Sequence, residues 1–263
     1  MRFVLPPNGA RTHLTCLWRF EADGQRDYRF STSGLGVGYG HDRTRIGDNG
    51  TLSEGDNRVA ALYGSWRATE GLILDGVLGY GGLEFDSRRW SADAGDYAFG
   101  ERSGSVVFGS ASVALERSAP GLRWSPFARV QFGSASLDGF TETGADYFAL
   151  TYDDLEVETL ASVLGASFDW TLERRSGVLT PSLRLEWRHE FAGTDDQVVS
   201  YADWLESPDY AAGLERWARD DFSLAAGLQW RGVSGWSFGA DYQGRAGSDM
   251  ISNGLRLKLM KSF

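Results

Sequence analysis

Between Leu179 and Glu190 the chain alternates without a break. Leu179, Pro181, Leu183, Leu185 and Trp187 fall on one face of an extended segment, and Thr180, Ser182, Arg184, Glu186, Arg188 and Glu190 on the other. Side chains on a strand alternate faces with period two, so this is one apolar surface set against one charged surface. The pattern recurs. Phe222, Leu224, Ala226, Leu228 and Trp230 oppose Ser223, Ala225, Gly227, Gln229 and Arg231. Trp236, Phe238, Ala240 and Tyr242 oppose Ser237, Gly239, Asp241, Gln243 and Arg245, and Ala128, Val130 and Phe132 oppose Arg129, Gln131 and Gly133. Leu160, Leu164, Ala166, Phe168, Trp170 and Leu172 oppose Thr159, Gly165 and Asp169. A chain built this way is all-β and antiparallel, and it has to supply one medium for each face.

Bulk properties narrow the medium. Mean hydropathy is −0.31 and no apolar run approaches the roughly 18 residues of a membrane helix. A membrane barrel is compatible with that value, because its strands turn half their residues toward a polar lumen. The net charge of −10 argues against a nucleic-acid partner, since no basic excess is available to neutralise phosphates. Cys16 is the single cysteine, which excludes an internal disulfide and a multi-cysteine metal site.

Connection lengths alternate strictly. Long polar segments at 42–56, 86–102, 138–154 and 192–220 are separated by short turns at 67–71, 116–121, 173–177 and 231–235. Outer-membrane barrels show this asymmetry, with tight turns on the periplasmic side and long loops outside. Counted back from Phe263, every short turn falls on the side where the chain ends. The expected strands are 30–41, 57–66, 72–85, 103–115, 122–136, 155–172, 178–191, 221–231, 236–245 and 253–263, ten in all. Each supplies about the 9 to 11 tilted residues that a bilayer crossing needs. Trp66, Trp170, Trp230 and Trp236 sit beside short turns, where a periplasmic girdle places amphipathic rings at headgroup level. Residues 1–28 are less well defined. A partial strand at 12–20 fits there, while Pro6 and Pro7 interrupt the place of a signal-peptide core. The expectation is a barrel domain over 29–263, as the C-terminal part of something longer or the product of a truncated gene.

A bilayer settles which face points out. Turning Arg184, Glu186, Arg188 and Glu190 toward lipid costs up to about 2–4 kcal/mol for a midplane Arg, and less for Glu. The expected lumen lining is therefore Arg129, Gln131, Asp169, Arg184, Glu186, Arg188, Glu190, Gln229, Arg231, Asp241, Gln243, Arg245, Arg256 and Lys258. Outer-membrane lipids are the expected partner of the other face.

With these residues in view, the chain resembles the C-terminal translocator barrel of autotransporters, the type V secretion proteins. The resemblance runs from about residue 28 to Phe263. It is carried by the stretch 181–191 (PSLRLEWRHEF), by 137–146 leading to 149–151, and by a closing strand that ends on Phe263. Gly64 and the stretch 76–80 are similar but less specific. The resemblance implies a twelve-stranded barrel, plugged by a helix, that brings a passenger to the cell surface as a hairpin with energy from passenger folding. By that comparison the first two strands, the helix and the passenger are missing. The resemblance further implies that the barrel-insertion machinery recognises the last strand through Leu255, Leu257, Leu259 and Phe263. Lys261 departs from the family, which usually has an apolar residue or an aromatic two before the end.

Other chemistry finds less support. The run Gly34, Gly36, Gly38 and Gly40 has strict period two and no following helix, so it is a strand face and not a nucleotide loop. Asn49-Gly50-Thr51 is turn chemistry before it is a sequon. His13, His41 and His189 are the histidines available to a hydrolase, and none comes with a Ser and an acid at recognisable spacing. His189-Glu190 lacks the second His of a zinc helix. Asp195, Asp196, Asp220 and Asp221 are loop carboxylates that fit a solvated surface better than a calcium site. No enzyme activity, cofactor, metal or nucleotide is expected. The rival reading from another class is a narrow passive pore or structural barrel.

Overall fold

The protein is described from a computed structural model, over residues 11–22, 31–193, 196–204, 208–213, 218–248 and 251–261, with side chains from residue 32 onward. Phe263 and Asp195, both singled out above, lie outside these residues. Eleven strands follow one another in chain order through a single antiparallel sheet. They are β1 (Arg11–Ala22), β2 (Ser31–Ile46), β3 (Thr51–Thr69), β4 (Leu72–Ser91), β5 (Asp96–Leu115), β6 (Leu122–Leu137), β7 (Leu155–Trp170), β8 (Gly177–Glu190), β9 (Asp220–Gly232), β10 (Trp236–Gly247) and β11 (Ile251–Lys261). Each pairs with the next, which is the up-and-down order of a membrane barrel.

The first strand lies where the sequence suggests a partial strand at 12–20 and runs longer, beside the ten expected strands. Arg11 pairs with His41 and Ala22 with Ser31, with an irregularity between Cys16 and Trp18. With eleven strands on the path, β1 and β11 run in the same direction, from the exterior to the periplasm, and among the described residues each is paired along one edge only.

Two of the expected loops are mostly strand. Segments 42–56 and 86–102 continue the ladders of β2–β3 and β4–β5, leaving turns at 47–50 and 92–95. Beyond the bilayer neither face of a hairpin meets lipid, so the apolar alternation stops while the hydrogen-bonded ladder does not. Cross-strand pairs hold the extensions together. Arg43 meets Glu54 at 2.9 Å, and Trp90 packs edge-on against Tyr97 at 4.9 Å.

On the periplasmic side the turns are tight. Gly71 and Gly121 take φ of 86° and 75°, a region closed to most L-residues, and a Cβ on Gly71 would stand 2.4 Å from the Glu116 carbonyl oxygen. Short strands at Arg117–Ala119 and Leu172–Arg174 prolong two of these hairpins.

Glycines also shape the wall. Gly79 lies beneath the Phe108 ring of the neighbouring strand, where a Cβ would come within 2.4 Å of it, and Gly34 stands in the same relation to Tyr63. The rings thus lie flat along the sheet. Gly79→Leu is expected to cost about 1–3 kcal/mol by overpacking. The check is the urea midpoint of the refolded chain in vesicles.

Candidate functional site

Register puts the charged rows of neighbouring strands on one common face. Arg129 stands opposite Val163 and Ser112, Arg184 opposite Ser167 and Ala225, Arg188 opposite Val163 and Asp221, and Asp221 opposite Gly247. This face is concave. A cavity of about 690 Å³ touches Val77, Val106 and Phe108 on one side and Arg129, Arg188 and Arg245 on the other. Exposure follows the curvature. Side chains of Arg188 and Glu190 are 17% and 4% exposed, whereas Leu185 and Leu164, on the opposite face, are 44% and 50% exposed. A sheet that buries its carboxylates and exposes its leucines inverts the arrangement of a water-soluble barrel.

The concave face is knitted by ion pairs. Arg184 Nε donates to Glu186 Oε1 at 2.6 Å, with its guanidinium 4.2 Å from the Phe127 ring centre. Arg129 Nη2 reaches the other Glu186 oxygen at 3.4 Å. Asp221 receives two hydrogen bonds from Arg245, at 2.6 and 3.0 Å, and stands 3.5 Å from Arg188 Nη1. Glu190 accepts from Arg188, from the Thr159 hydroxyl at 2.7 Å and from the Leu160 backbone N–H at 2.7 Å. Lower down, Lys258 pairs with Asp241 at 2.9 Å and Arg123 with Asp169 at 3.5 Å. Gln131, Gln229, Arg231, Gln243 and Arg256 stand on the same face by register.

Two members of this wall differ from expectation. Asp221, counted above among solvated loop carboxylates, is 5% exposed and joins Arg188 to Arg245. Arg123 was absent from the expected lining. Its partner Asp169 is the only hint in the sequence, and the pairing needs the register of two strands to be seen. The charged arc spans β6 to β11. From β2 to β5 the same face carries Gly34, Gly36, Val59, Ala61, Tyr63, Val77, Gly79 and Phe108.

The convex face carries the aromatics. Trp66, Trp170, Trp230 and Trp236 all lie on it near the periplasmic strand ends, opposite Leu74, Leu122, Phe238 and Lys261. The Lys261 ammonium sits 5.1 Å from the centre of the Trp236 ring, a favourable stacking that suits a charge at the membrane interface. Leu255, Leu257 and Leu259 line the same face of β11. At the outer end, the Trp187 indole N–H donates to Asp220 at 2.9 Å, and His189 Nδ1 lies 2.9 Å from the same oxygen with its ring against Phe191. His41 meets Asp56 at 3.1 Å.

Above the bilayer the two longest loops combine into a second sheet. Its strands are Phe140–Thr141, Leu150–Tyr152, Gln197–Tyr201 and Tyr210–Ala212, in the order 210–212, 197–201, 150–152, 140–141. Two arginines on the extension of the β4–β5 hairpin hold it. Arg89 makes a two-fold hydrogen bond to Glu142, at 2.6 and 2.9 Å, and donates to the Phe148 carbonyl. Arg102 donates to the carbonyls of Leu137, Asp138 and Asp153 and to the Gln197 amide oxygen. Both alternate in phase with Val77 and Phe108, and so project on the concave side. The hydrogen bonds that Arg89 donates to Glu142 hold its guanidinium even more basic than usual, and burial pushes the Tyr152 hydroxyl up.

The sequence profile described as Autotransporter beta-domain matches residues 22–243. Among solved structures, the chain resembles the β domain of the Bordetella autotransporter BrkA, with 19% identity over 92% of this chain and 85% of that one, at a TM-score of 0.55. It also resembles the translocator domain of the autotransporter NalP from Neisseria meningitidis, with 16% identity, coverage of 97% and 81%, and a TM-score of 0.60. The CymD monoaromatic hydrocarbon channel aligns over 97% of this chain and 77% of that one at 11% identity and a TM-score of 0.53. At such identities these likenesses concern the fold alone. No curated protein matches the chain.

Proposed function

Because the chain belongs to the autotransporter β-domain family, we propose that its concave charged face lines a water-filled lumen through which a passenger segment reaches the cell surface. The domain is an outer-membrane translocator. The observation that carries the lumen assignment is the inverted exposure, with Glu190 and Asp221 buried and the leucine rows open to the surroundings. In this reading Arg129, Arg184, Glu186, Arg188, Glu190, Asp221 and Arg245 keep the bore wet, while their mutual pairing keeps the wall rigid. Trp66, Trp170, Trp230 and Trp236 anchor the periplasmic rim. The last strand, paired with β10 along one edge, would be read by the insertion machinery through Leu255, Leu257 and Leu259 together with the terminal Phe263. Energy for transport comes from passenger folding outside the cell, and the barrel unit takes in 29–263 together with the paired strand before it.

A direct test places a signal peptide and an epitope-tagged passenger ahead of residue 1 in a Gram-negative host. The expected result is an epitope cleaved by protease added to intact cells, together with a barrel whose migration in gels changes on heating. An epitope that stays periplasmic behind a folded barrel would overturn translocation and leave a passive pore.

A further inference from the structure

We infer that the extracellular sheet is a lid, folded inward across part of the barrel mouth and latched by Arg89 and Arg102. The argument begins with side-chain direction. Residues 85, 87, 89 and 91 of β4 and 98, 100 and 102 of β5 continue the alternation of the lumen-facing row without a bulge. Whatever covers them lies over the inside of the hairpin. Ala98 is fully buried, and a Cβ on Gly100 would stand 2.2 Å from the Phe140 ring, so the loop after β6 rests on that inner surface. Phe140 in turn stacks on Tyr152 at 4.6 Å, nearly parallel.

The loop between β8 and β9 then reaches over from farther round the wall. Gln197 lies beyond β6 and β7 in strand order from Arg102, yet accepts its hydrogen bond at 2.9 Å. Ala202 donates to the Ala149 carbonyl and Asp153 to that of Val198, so the two loops form one chord. The Arg89–Glu142 latch is desolvated on the carboxylate side, with the Glu142 side chain 2% exposed. A buried charge pair is stable only while both partners are present, which makes it a switchable closure and not just a packing contact.

The test uses the purified full chain in planar bilayers, with Arg89→Glu, Glu142→Arg and the double exchange. The expected result is a severalfold rise in single-channel conductance for each single variant and a return toward the original value for the double. Protease added to the outer side reports loop release separately, and heat-dependent gel migration reports barrel folding. Conductance unchanged in single variants whose loops have become cleavable would overturn the lid, as would uncleavable loops in both. Should a reversal prevent folding, the pair Phe140→Ala and Gln197→Ala weakens the sheet's seating without burying a new charge. The same rise or its absence is then decisive.

Discussion

Leu185→Arg is expected to destabilise the membrane-inserted protein by about 2–4 kcal/mol, the cost of a guanidinium near the bilayer midplane. Leu185 lies midway along β8 on the convex face and is 44% exposed. A domain margin of roughly 5–15 kcal/mol would lose a large fraction to that one change. Gln243→Lys, placed on the concave face of β10, should stay within about 0.5 kcal/mol. Unfolding by urea from vesicles, followed as loss of the compact unheated gel band, measures both. Equal effects, or a larger one at Gln243, would mean that the two faces have been assigned the wrong way round.

Asp221→Ala is the second large effect. The carboxylate is 5% exposed and shared by Arg245 and Arg188, so its removal takes the carboxylate from Arg245 and leaves Arg188 with Glu190. Breaking a buried pair costs about 3–5 kcal/mol, and the lower end applies because the Arg245 side chain is itself 34% exposed. Asp221→Asn keeps an acceptor for Arg245 and should lose roughly half as much. Removing Asp221 and Arg245 together should cost less than the sum of the two single changes, because neighbours in one network do not add. Strict additivity in the same urea titrations would show that the pair is not coupled.

What the chain reveals of itself depends on where each segment sits. Within the bilayer two faces meet two media, so alternation separates Arg184, Glu186 and Arg188 from Leu183, Leu185 and Trp187 by inspection. Outside it the constraint is lifted. The extensions of β2 to β5 carry Arg43, Glu54, Asp86 and Glu101 within an unbroken ladder that polarity alone makes look like loop. Asp221 was hidden for another reason. It follows Asp220 at the edge of an acidic stretch, and its partner is 24 residues away, so only register brings them together. The extracellular sheet was beyond reach, since strands of two to five residues give no measurable period.

The shared direction of β1 and β11 carries a parity rule. In an antiparallel ring every neighbour must point the opposite way, so eleven strands cannot meet each other across the seam in that sense. Direct contact of β1 with β11 would make a parallel seam, whereas one strand between them would keep the ring antiparallel throughout. Such a strand would run from periplasm to exterior, as β2, β4 and β6 do, opposite in sense to β1 and β11 on either side.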